Sequence, residues 1–158
     1  MLRAIHRGVI NFTCILSLMV LILMVASGQS MRVNGGNVTM TITTGTAGGQ
    51  LLNVFNTTSS LAYQKQNILS KITVRTVCLG QSFNLIVAAT NVTAGVAAPA
   101  VTLINGSPAI DFIRDIPKTG ARNATCLLQY TASATFAQGN STELNNDVHI
   151  VTFTIQSQ

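Results

Sequence analysis

Side chains that do chemistry are scarce in this chain. It has four acids (Asp111, Asp115, Glu143 and Asp147), two histidines and three cysteines. His6 belongs to an N-terminal export segment, which leaves His149, two residues after Asp147. A histidine and an acid are two parts of a nucleophilic triad, in which the acid orients the ring and the ring takes a proton from Ser or Cys. No nucleophile elbow or similar motif accompanies them. The favoured reading is a strand histidine with an ordinary hydrogen bond. Zinc would call for a second histidine or for thiolates, and Cys78 and Cys126 suit a disulfide instead. Calcium would need a loop dense in oxygen ligands, which is missing. The expectation is therefore no catalytic residue, no cofactor and no metal.

The most charged stretch runs Asp111-Phe-Ile-Arg-Asp-Ile-Pro117, with Lys118 and Arg122 close behind. Asp111, Arg114, Asp115, Lys118 and Arg122 make a candidate recognition loop on a rigid scaffold. The plainer reading, a solvated loop whose local ion pairs contribute little, is preferred. The net charge is +5, but Arg32, Lys65, Lys71 and Arg75 are scattered. A nucleic-acid partner is not expected, since that needs a basic stripe, often with stacking aromatics. Asn37, Asn56, Asn91, Asn105, Asn123 and Asn140 each open an Asn-x-Ser/Thr sequon, a glycan acceptor only in a host with the machinery.

The elements that position these residues begin with export. Arg3, His6 and Arg7 precede an apolar run from Cys14 to Ala26, and Ala26-Ser-Gly28 is a small-x-small cleavage site. A run of about 13 residues suits a signal peptide better than a span of about 20. Residues 1–28 are read as a signal peptide and 29–158 as one domain, in a secreted, periplasmic or cell-surface location. Membrane contact is expected only through the signal segment if it stays uncleaved. Loss of Cys14 leaves Cys78 and Cys126, an even pair suited to an oxidising compartment.

Only 8% of the residues are charged, against about a quarter in ordinary domains. Thr and Val favour strands, and Asn and Gly favour turns. Alternation puts Val38, Met40 and Ile42 on one face. It does the same for Ile72, Val74, Thr76 and Cys78, and for Phe83, Leu85 and Val87. It aligns Cys126, Leu128, Tyr130, Ala132, Ala134 and Phe136, and finally His149, Val151, Phe153 and Ile155. Period two marks half-buried strands. Asn105-Gly106 suits a hairpin turn between Val101–Ile104 and Ala109-Ile110. The fold class expected is all-β, an immunoglobulin-like or related antiparallel sandwich of about seven or eight strands after an N-terminal signal helix. Each of Cys78 and Cys126 is in phase with its strand's apolar face. A disulfide across the sandwich is expected, closing a loop of about 50 residues and stabilising by about 4 kcal/mol. Two buried free thiols or a reactive pair are the alternatives.

The segment from Cys126-Leu-Leu-Gln-Tyr-Thr-Ala-Ser-Ala-Thr-Phe136 through Asp147-Val-His-Ile-Val-Thr-Phe-Thr-Ile155 resembles the end of secreted bacterial pilin-like domains of the spore-coat-U and fimbrial-subunit type. There a Tyr-containing strand, a Gly-Asn loop and a Thr/Val-alternating last strand close an immunoglobulin-like sandwich. The likeness covers about the last quarter of the chain. The cysteine arrangement departs from it, and Trp is absent. It implies a surface-appendage or adhesion role without catalysis. The function expected is a non-catalytic exported structural or adhesive protein, such as a subunit of a pilus, coat or matrix. The alternative is a monomeric secreted binding module for a carbohydrate or protein ligand. Expected partners are further copies joined by strand addition, or a surface protein or glycan. Asn37–Thr43 is the candidate assembly strand, pairing within its own sheet or with a neighbour's edge.

Overall fold

The computed structural model describes residues 30–42, 53–65, 67–120, 122–135 and 146–158. The expected signal segment and the Phe136 end of its strand lie outside them. Nine strands form among the described residues: β1 (Met31–Asn34), β2 (Val54–Gln64), β3 (Ser70–Val77), β4 (Asn84–Thr90), β5 (Val96–Ala97), β6 (Val101–Leu103), β7 (Ile110–Ile116), β8 (Asn123–Ser133) and β9 (Ile150–Ser157). They build two antiparallel sheets, ordered β1-β2-β8-β4-β6 and β5-β7-β3-β9, a β-sandwich.

The inward faces are those the alternation marks. Ile72, Val74 and Thr76 of β3, Val87 and Ala89 of β4, Cys126, Leu128 and Tyr130 of β8, and Phe153 and Ile155 of β9 are buried. Each large aliphatic or aromatic side chain so buried contributes about 1.5–3 kcal/mol. Phe112 and Phe153 meet at a centroid distance of 5.1 Å and a tilt of 52°, a geometry aromatic quadrupoles favour. The Tyr63 hydroxyl donates to the Ala94 carbonyl, so this phenol is satisfied although buried. Burial pushes its pKa up to about 12.

Three local expectations are corrected. Residues 36–42 form no ladder. Val38 and Met40 still pack against the core while Thr39 and Thr41 face water, so the alternation is real without strand pairing. Asn105-Gly106 makes a turn, with Gly106 at φ 72°, but it joins β6 of one sheet to β7 of the other and is no hairpin. The charged stretch is largely a strand and not a loop. Asp111, Arg114 and Asp115 lie on β7. Between the pairs Ser70↔Ile116 and Ile72↔Ile113, β7 uses one residue more than β3, and again between Ile72↔Ile113 and Thr73↔Asp111. These bulges break the period of two, so Phe112 and Ile113 are both buried. Asp115 takes up φ 54° there.

The disulfide does not form: Cys78 and Cys126 are free, buried thiols. Both point inward, but at different heights. Cys78 leads through a short turn into β4, whose first residue Asn84 pairs with Ser133 at the far end of β8. Cys126 lies seven residues before Ser133, opposite Leu61. At about 3.3 Å per residue that is about 23 Å along the strand, against a Cα separation of about 7 Å at most for a disulfide.

Candidate functional site

Cys78 follows the last residue of β3 and keeps the inward phase of Thr76. The β3–β9 register runs unbroken from Ser70↔Ser157 to Val77↔Ile150. One step further places His149 opposite Cys78 and sets Thr76 diagonally from His149, where antiparallel neighbours touch. The Thr76 Oγ1 lies 3.2 Å from His149 Nδ1.

The turn after Cys78 is stitched from both sides. Asn105 Oδ1 accepts the Cys78 N–H at 2.9 Å. Gln81 donates to the Leu103 and Phe83 carbonyls and accepts the Asn105 N–H. Asp147 supplies the other anchor. Its Oδ1 and Oδ2 accept the Ser82 N–H at 3.1 and 2.9 Å, and Oδ2 accepts the Phe83 N–H at 2.8 Å. These contacts aim the carboxylate at the strand ends, with Oδ2 3.9 Å from His149 Nε2. The Cys78, Asp147 and His149 ligand atoms all lie within 4.8 Å of one another. The side chains of Asp147 and His149 are only 7% and 10% exposed.

The surroundings keep the ring and the thiol neutral. Burial lowers the His149 pKa below its ordinary 6.5, against the opposing pull of Asp147. Burial raises the Cys78 thiol above 9.0, Asp147 adds to that, and a backbone hydrogen bond from Val148 opposes it. A nucleophilic cysteine needs the reverse, a depressed thiol pKa beside an imidazolium. The arrangement therefore offers three different donor atoms (S, N and O) at one rim of the sandwich.

His149 thus has as its thiol neighbour Cys78, a residue expected in a disulfide. The readable signal was the constant pairing sum along Lys71–Cys78 and His149–Ile155, once these are taken as antiparallel partners. The other candidate residues do not converge. Asp111 pairs with Lys71 at 2.8 Å. Asp115 holds Gln158, accepting from its Nε2 at 2.9 Å and donating its own N–H to Oε1 at 2.8 Å. Arg114, Lys118 and Arg122 are exposed. Among the described residues no helix is long and apolar enough to cross a membrane. Comparison with protein-family models, curated protein sequences and solved structures finds no match to this chain.

Proposed function

We propose that the chain is a non-catalytic exported structural or adhesive β domain that joins other copies through the open edge of β9. The observation that carries this reading is the edge itself. Among the described residues β9 pairs with β3 alone, over eight residues in unbroken register. It carries no charged residue and no proline, and no bulge twists it away. Natural edges are usually blunted by one of these devices, because unpaired N–H and C=O groups template strand addition. The other edge strands, β1, β5 and β6, are four residues long or shorter. Ile150, 65% exposed, and the neighbouring Val148, 73% exposed, add apolar surface beside the open ladder. Val38 and Met40 pack on their own core, which favours β9 over residues 37–43 as the joining element.

Size-exclusion chromatography and electron microscopy of the purified protein test the reading. Oligomers or filaments are expected. Ile150→Lys places a charge on the edge and should return a folded monomer with unchanged circular dichroism. A wild-type chain that stays monomeric at high concentration and binds no cell surface would leave the soluble binding module as the better account.

A further inference from the structure

We propose that Cys78, Asp147 and His149 form a zinc(II) site, with a fourth position left to solvent. Three protein ligands and one open position is a common zinc arrangement, and thiolate, imidazole and carboxylate are all zinc donors. Zinc distances of about 2.0–2.3 Å put tetrahedral donors about 3.5 Å apart. The donors here already lie within 4.8 Å of one another, and Nε2 is 3.9 Å from Oδ2. Side-chain rotations moving each donor by under about 1 Å close the set.

The contacts behind the donors are those a metal site requires. Thr76 Oγ1 meets His149 at Nδ1, which fixes the ring and leaves Nε2, 3.9 Å from the Asp147 carboxylate, for a metal. The Ser82 and Phe83 amides fix the carboxylate with three hydrogen bonds, which leaves one of its about four acceptor sites for a metal. Cys78 sits where the turn is tied down by Asn105. Charge balances as well: one thiolate and one carboxylate neutralise a divalent ion in a nearly buried place. Binding turns the thiol into a thiolate and releases its proton to solvent, while the imidazole is already neutral. Calcium and magnesium prefer sets of six or more oxygens, which this cluster cannot supply.

The site is independent of the β9 edge contact, and its test does not depend on assembly. The full-length reduced chain is titrated anaerobically with cobalt(II). The expected result is one cobalt per chain with a sulfur-to-cobalt charge-transfer band, displaced by zinc. Calorimetry in two buffers should show about one proton released per zinc at neutral pH. Cys78→Ser and His149→Gln should each weaken binding by more than about 100-fold, with the sulfur band lost in Cys78→Ser. Cys14→Ser and Cys126→Ser should titrate like the wild type. Should a ligand variant fail to fold, alkylation of the wild-type chain decides, because zinc should protect Cys78 and leave the rate at Cys126 unchanged. No sulfur band in the wild type, a band that survives Cys78→Ser, or Cys78 alkylation indifferent to zinc overturns the proposal.

Discussion

At Cys126 the thiol faces the core opposite Leu61, and burial pushes its pKa up to about 11. A thiol so protonated and so enclosed is inert. Unreduced mass spectrometry of the native protein should therefore find Cys78 and Cys126 as thiols, and a reductant should leave the melting temperature unmoved. Cys126→Ser exchanges an apolar thiol for a more polar hydroxyl in the core and should cost about 1–3 kcal/mol in urea unfolding. His149 makes a different demand. In the unfolded chain its ring protonates near 6.5, while in the folded chain it does so only at lower pH, because burial outweighs Asp147. Above 6.5 both states hold the ring neutral and the full stability is present. As pH falls below 6.5 the unfolded state takes the proton first, so stability declines, by at most about 1.4 kcal/mol per pH unit. Melting curves of the metal-free wild type and His149→Gln at pH 7.5 and 5.5 should show the smaller loss in the variant. Phase made both side chains legible as inward-facing. Height along the strand was not legible, since period two fixes a face and says nothing of which end two strands share.

Among the elements, β7 and β2 were the hardest to read. The bulges on β7 place Phe112 and Ile113 together inside, and no alternation survives two extra residues in seven. On β2, Asn56-Thr-Thr-Ser-Ser60 hides the inward phase, which only Leu61 and Tyr63 announce. Its pairing with β8, not its own hydrophobicity, makes it a strand. Gly95 is the hinge between β4 and β5, at φ 94°. A Cβ there would stand 2.7 Å from the Arg114 carbonyl oxygen and 2.8 Å from Ile113 Cγ2. Gly95→Ala combines a left-handed backbone with a collision against main chain, and should cost at least about 2 kcal/mol. Gly106 has the same sign of φ but nothing within 4 Å. Gly106→Ala should lose only the conformational part, about 1 kcal/mol, and chemical denaturation of the two variants side by side checks the difference.

For the whole molecule, composition and alternation sufficed to expect a two-layer β fold, because Val-, Ile- and Thr-rich runs with one apolar face have few other ways to bury it. They could not assign strands to sheets. The core joins both layers through residues such as Leu128 and Ile72, which are fully enclosed. Leu128→Ala should cost about 2–5 kcal/mol, a spread set by how far the cavity collapses. Its urea midpoint should fall without a second transition, as expected for one cooperative unit.

Among the described strands β9 comes after the other eight in sequence, yet it lies beside β3, the third. A polypeptide emerging N-terminus first thus holds β3 with one flank open, and Ser82 and Phe83 with unanchored amides, until Asp147 and the residues after it arrive. The entropy of closing that long loop is paid last, and pairings so distant in sequence make folding slow. The β3 flank, and with it the anchor on the Ser82 and Phe83 amides, is therefore closed from a distance in sequence, while the pairings of β2, β4, β7 and β8 need nothing from β9.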